Sequence, residues 1–197
     1  VMKEGKHISE ALYMHSHGLK IIPASPSLKH RDKIDMKKLG SLLKDLSGEV
    51  DYVIIDSSSG LNEETVEALK LGDEILVVST PELPAVSDAL RTIKTAKEHG
   101  KKVRGVILTR VYEDELELSK EDVEAMLETK VIAIIPEDDT IRESVKMKNP
   151  VTHTHPNAPA SLGYKELAAE LLGEKYVASI EKDDNIFDYL MKRLGLK

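Results

Sequence analysis

The sequence predicts an α/β fold built on a mostly parallel sheet with helices on both faces. Short apolar, β-branched runs alternate with longer amphipathic stretches along the chain. Most of those runs are nearly continuous in apolar residues, as strands buried on both faces are. The length of 197 residues sets the scale, since one hydrophobic core accommodates it and a second is not required.

In order, the first half reads as a helix at about 8–14, a strand Leu19–Pro23, a helix at 34–46, a strand Asp51–Asp56 and a helix at 62–70. The second half reads as a strand Glu74–Ser79, a helix at 84–98, a strand Val103–Leu108, a helix at 120–128 and a strand Val131–Ile135. Helices at 138–147 and 161–172 complete the pattern, with Asn149–Ala160, which holds Pro150, Pro156 and Pro159, read as a loop. Every helix rests on apolar residues three and four positions apart. Capping residues support the boundaries: Asn62 precedes Glu63 and Glu64, Ser119 precedes Glu121 and Asp122, and Gly100 closes the 84–98 helix. Residues 1–173 are expected to form the α/β domain, and 174–197 a charged linker followed by an amphipathic helix.

Composition narrows the function. Hydrophobic residues are 41% and charged residues 32% of the chain, which excludes general disorder. Lys plus Arg number 28 against 35 for Asp plus Glu, a net charge of −7, and that disfavours nucleic acid as a partner. The absence of cysteine excludes disulfides and Cys-held zinc or iron–sulfur centres within this polypeptide. No apolar run approaches the roughly 20 residues that cross a bilayer, and the first residues carry no signal-peptide pattern. The chain begins with Val1 and not Met, which reads as a start inside a longer frame or at an unusual start codon.

Ligands of open parallel sheets bind beyond the carboxyl ends of the strands. One such end is Asp51-Tyr-Val-Ile-Ile-Asp56, followed by Ser57, Ser58, Ser59 and Gly60. An apolar run delivering an acid has the form of a Walker B element, whose carboxylate orients the water shell of a nucleotide-bound Mg²⁺. The plainer reading is an aspartate that caps its own loop. The other two ends are Val106-Ile-Leu-Thr109-Arg110 and Ile134-Ile-Pro136-Glu137-Asp138-Asp139, each weak alone because a strand-end Arg is often a surface ion pair.

Together with Ile8–Leu12, Gly18–Ser25 and Ser79-Thr-Pro-Glu82, these segments in this order resemble the MinD/ParA group of deviant Walker A ATPases, and its MinD branch most closely. The resemblance implies a P-loop NTPase-like fold without its first βα unit. It implies ATP and Mg²⁺ as cofactors, with Asp56 near Mg²⁺ through water, Ser57–Gly60 as the switch loop, and Thr109, Arg110, Pro136, Glu137 and Asp138 along the base and ribose. It also implies Ser79–Glu82 near a homodimer interface. MinD proteins usually read Asp-Ser-Pro-Ala-Gly where this chain reads Asp56-Ser-Ser-Ser-Gly60.

A phosphate-binding loop needs glycines, so that successive N–H groups can cradle phosphate, followed by Lys and Ser or Thr. The sequence contains no such element; Gly100-Lys101-Lys102 lacks both the hydroxyl and the strand–loop–helix setting. The expectation is therefore that these residues by themselves bind Mg·ATP poorly, and that sheet surface near Val53–Ile55 and Ile75–Val78 is uncovered. Two readings of function follow: an ATP-switched positioning protein, or a non-catalytic scaffold of the same family. A ParA-like DNA-partitioning role comes third. His15, His17, His153 and His155 read as loop histidines, since no Cys or carboxylate set accompanies them. No Ser-His-Asp or Gly-x-Ser-x-Gly arrangement supports a nucleophilic hydrolase.

Near the C-terminus, Ile186, Phe187, Leu190, Met191 and Leu194 recur one and four residues apart and share one helical face. Lys192, Arg193 and Lys197 concentrate positive charge at its end, as in helices lying on anionic lipid. This resembles the membrane-targeting tail of MinD proteins, and implies a cytoplasmic protein peripheral to the inner face of the cell membrane; the plainer reading is a helix docked on the protein's own core. By the same resemblance its partners are a second copy, an anionic membrane surface and a division-regulating protein.

Overall fold

The computed structural model describes residues 12–15, 18–23, 36–44, 46, 48–112 and 114–176. The chain divides into two compact units, Val1–Gly72 and Asp73–Lys197.

In the first unit, β1 (Tyr13–Met14) pairs antiparallel with β2 (Lys20–Ile21), Tyr13 opposite Ile21. The turn between them is closed by His15 N–H to Leu19 O at 2.8 Å and Gly18 N–H to His15 O at 3.0 Å. Tyr13 and Met14 were expected at the end of a helix. Pairing across this turn satisfies their backbone as a strand instead, and residues 8–11 lie outside the described part. The longer strand expected at Leu19–Pro23 is reduced to its two paired residues. Helices α1 (Met36–Lys44) and α2 (Glu63–Leu71) follow, with Gly40 against Leu71. Asn62 caps α2 as its position predicted, its side-chain oxygen accepting Thr65 N–H at 2.8 Å.

The expected strand Asp51–Asp56 does not form as a ladder. No strand ladder takes up its residues among the described ones, and Tyr52 and Ile54 are 66% and 87% exposed. An apolar run becomes a strand only where neighbours take its backbone groups.

The second unit follows the predicted alternation closely. Strands β3 (Glu74–Ser79), β4 (Lys102–Val111) and β5 (Val131–Pro136) form a parallel sheet in the order β3-β4-β5. The crossovers are α3 (Leu83–Glu98) and α4 (Lys120–Leu127), and α5 (Asp139–Lys146) follows β5. The stretch read as a loop holds the single turn α6 (Val151–Thr154) and the first residues of α7 (Pro159–Leu172). Proline is tolerated at a helix's first position, where its missing N–H would have no partner anyway, so Pro159 starts a helix where it was read as a breaker.

Helices cover both faces. Val86, Ala89 and Ile93 of α3 and Val123 and Leu127 of α4 pack on Val77, Val106 and Leu108. On the other face Ala160 and Leu167 of α7 and Ile141 of α5 pack on Ile107, Ala133 and Ile135. Two close approaches depend on glycine. A Cβ at Gly105 would sit 2.4 Å from Ile132 Cγ2, and one on Gly163 of α7 would sit 3.0 Å from the Ile134 carbonyl oxygen. Ile132 reaches over Gly105 because it is an extra residue in the ladder: Val106 pairs with Val131, but Ile107 pairs with Ala133.

Candidate functional site

The carboxyl ends of β4 and β5 bring together the residues singled out from sequence in this unit. Thr109 pairs with Ile135, and the next pairing joins Val111 to Pro136, so Arg110 is a bulged residue. Its φ of 57° is left-handed, a region that costs non-glycine residues energy and persists where the surroundings enforce it. The bulge re-aims a side chain that regular alternation would have sent to one face of the sheet. Arg110 Nε–H donates to Glu137 Oε2 at 3.2 Å. The Arg110 side chain is 68% exposed and that of Glu137 only 25%. Glu137's hydrogen bond and charge, followed by contact with Tyr112, hold the guanidinium above its ordinary range, so it stays charged.

Behind this pair the rim is closed by one backbone bond and one side-chain bond. Glu137 N–H donates to Val111 O at 3.0 Å, and Thr109 Oγ1–H donates to Ser79 O at 3.4 Å. Pro136 ends the ladder because it has no N–H to offer.

Asp138 has a different character. Its Oδ1 accepts Thr140 N–H at 2.9 Å and Thr140 Oγ1–H at 2.6 Å, capping α5. Its Oδ2 accepts Ala160 N–H at 3.1 Å, in the first turn of α7. One carboxylate thus serves the positive ends of two helices. Partial burial pushes its pKa up, but the bonds from Thr140 and Ala160 and the charge of His155 outweigh that and leave it below the ordinary carboxylate range. Both oxygens are engaged within the protein, which makes Asp138 a staple at this rim.

Asp56 lies in the first unit. Its side chain is exposed, and the loop after it is built on Ser58. Asn62 Nδ2–H donates to Ser58 Oγ at 2.8 Å, and Thr65 Oγ1–H donates to Ser58 O at 3.1 Å. Ser57–Gly60 is therefore anchored to the start of α2, while the Asp56 carboxylate stays open to solvent.

Two contributors escaped the sequence reading. Ala160 meets Asp138 from 22 residues away in the chain, and the bulge at Arg110 leaves no mark in an apolar run. Only the polar pair Thr109-Arg110 interrupting a strand pointed there. Among the described residues no group of three or more His, Asp or Glu side chains is arranged to hold a metal ion. None of the helices there is long and apolar enough to cross a membrane. Ile186, Phe187, Leu190, Met191 and Leu194 lie outside the described residues.

Comparison with known proteins gives the family and the fold. The profile of an AAA-domain family matches residues 10–145, more than half of the chain. An uncharacterized ATP-binding protein of Methanocaldococcus jannaschii is 34% identical over 180 residues, covering 91% of this chain and 68% of that protein. The chain belongs to the MinD/ParA-type ATPase family. The septum site-determining protein MinD of Thermotoga maritima is 32% identical over 175 residues, covering 84% of this chain and 63% of its own length. The solved structure of Pyrococcus horikoshii MinD complexed with Mg-ADP superposes with a TM-score of 0.80 at 27% identity, over 86% of this chain and 70% of that one. The fold is thus that of the MinD/ParA P-loop NTPases, and the chain spans about two thirds of the length of the curated relatives it matches.

Proposed function

We propose that this chain belongs to an ATP-switched, membrane-cycling positioning protein, and that the rim at the ends of β4 and β5 holds the base and ribose of its nucleotide. The observation that carries the reading is the bulge that sets the Arg110 guanidinium at the rim against Glu137, beside the rigid Pro136. A guanidinium offers several N–H groups to ribose or base acceptors, and proline gives a flat apolar surface beside a ring. The structure of a relative with Mg-ADP supports the choice of ligand.

The residues present fit one end of that ligand. The described part contains no glycine-rich strand–loop–helix able to cradle phosphates. Asp56, an exposed carboxylate after an apolar run, is suited to hold a water of a nucleotide-bound Mg²⁺. Bound Mg·ATP would supply the phosphate and metal charge that distinguishes one state of the switch from the other.

The test is photolabelling with an azido-adenine analogue of ATP, read by peptide mass spectrometry. Labels on 109–112 and 136–138 that excess ATP competes away support the reading. Uncompeted labelling, or labelling elsewhere, contradicts it and favours the scaffold reading. For the membrane role, sedimentation with anionic vesicles compares the chain, a version ending at Asp184 and Phe187→Glu. Loss of pelleting in both variants is expected, and equal pelleting of all three refutes the tail as the anchor.

A further inference from the structure

Arg110 is held from two directions, and the second hold is more than the fold needs. The backbone is fixed by the bulge, with Val111 paired to Pro136 and Val111 O accepting Glu137 N–H at 3.0 Å. The side chain is then fixed by Glu137, whose own backbone is locked by that same bond. A solvent-exposed ion pair contributes little to stability, because screening and side-chain ordering offset most of the attraction. Arg110 is mostly exposed, so the pair is poorly explained as a stabilising contact. It does remove rotamer freedom from a long side chain before any ligand arrives. Preorganisation of that kind raises affinity by lowering the ordering cost at the moment of binding.

We infer that Glu137 is a positioning residue, acting on the nucleotide through Arg110: it anchors Nε and leaves the fork N–H groups that Tyr112 does not engage to the ribose or base edge. The inference rests on the proposed nucleotide site at this rim. It assigns Glu137 the role of orienting the arginine and not that of direct contact, and it makes Glu137 and Arg110 one functional unit.

The experiment uses the whole chain with Glu137→Gln, Arg110→Ala and the double variant, and reads three quantities. The first is the Arg110 Nε–H resonance and its exchange with solvent, the second is Tm, and the third is ATP-competed photolabelling with the azido-adenine analogue. The expected result for Glu137→Gln is faster Arg110 Nε–H exchange, nearly unchanged Tm, and apparent affinity lower by about threefold, the scale of one exposed charge contact. Arg110→Ala should lower affinity at least as much, and adding Glu137→Gln to it should change nothing further. Glu137→Asp, which keeps the charge with a shorter reach, should recover part of the loss.

An equal effect of Glu137→Gln with and without Arg110 would overturn positioning, because Glu137 would then act on the nucleotide directly. Competed labelling at the rim that none of the variants weakens would leave the nucleotide site standing and overturn the role of Glu137. An Arg110 Nε–H that exchanges as fast in the natural chain as in Glu137→Gln would overturn it as well. Absence of competed labelling at the rim in the natural chain would remove the nucleotide site itself, and the inference with it.

Discussion

Replacing Asp138 by Ala takes one acceptor away from three donors. Thr140 N–H loses its cap at 2.9 Å, Thr140 Oγ1–H its partner at 2.6 Å, and Ala160 N–H its partner at 3.1 Å. An N-cap substitution by alanine costs about 1 kcal/mol, and a part-buried N–H left without a partner costs about 1 kcal/mol more. The hydroxyl of Thr140 can turn to water, so the sum expected is about 2 kcal/mol. For a chain of this size that lowers Tm by roughly 4–8 °C. Asp138→Asn separates the two helices: its carbonyl oxygen can still cap α5, while its amide nitrogen meets Ala160 N–H donor to donor, so about half the loss is expected.

The pH dependence follows from the same contacts. The folded carboxyl titrates below the unfolded one, so its contribution is complete above the unfolded pKa of about 3.9 and is lost as pH falls through the folded value. Chemical denaturation at a series of pH values, for the natural chain and both variants, measures this. The two stability curves of the natural chain and Asp138→Asn should lie apart near neutrality and converge below about pH 4. A neutral Asp138→Ala, or a gap that stays constant into acid, would refute the double-cap account.

Gly105→Ala should destabilise by about 1–3 kcal/mol, because the new Cβ would overlap a β-branched side chain that its own bulge holds in place; denaturant melts with no loss of stability would contradict this. Ser161 is fully buried and its hydroxyl has no hydrogen-bond partner among the described residues, so Ser161→Ala should be neutral or stabilise by up to about 1 kcal/mol. A clear drop in Tm would mean that an unseen partner holds the hydroxyl. The exposed apolar residues Ile54 at 87% and Val78 at 62% should drive self-association of this polypeptide. Ile54→Lys with Val78→Lys should then shift its elution toward the monomer, and a natural chain that elutes as a clean monomer would contradict the expectation.

What was legible in the sequence depended on how local its cause is. Asn62 and Ser119 each bond an N–H three residues away, so the starts of α2 and α4 were readable from neighbouring residues; Asp138 caps α5 in the same local way, a role its reading as a nucleotide contact did not give. Strands β3, β4 and β5 were readable as well, because each is an apolar run; β4 is buried on both faces, while β3 leaves Leu76 and Val78 exposed on one. Asp51–Asp56 has the same kind of run, but whether it becomes a strand depends on a partner elsewhere in the chain. Tyr13 and Met14 went astray for a related reason, since two residues of pairing across a turn decide their state. At the rim, Thr109, Arg110, Pro136, Glu137 and Asp138 could be named from their places at strand ends. The left-handed backbone of Arg110 and the link from Asp138 to Ala160 could not, because both arise from register and packing between segments distant in sequence.

On the proposed function, the rim formed by the ends of β4 and β5 receives the base end of an adenine nucleotide. Titration of the isotopically labelled chain with ATP and with adenosine, followed through backbone amide resonances, tests it most directly. Saturable shifts concentrated at residues 109–112 and at Glu137 and Asp138, shared by both ligands, are the predicted result. Shifts confined to other parts of the chain, or none up to the solubility of either ligand, would contradict it.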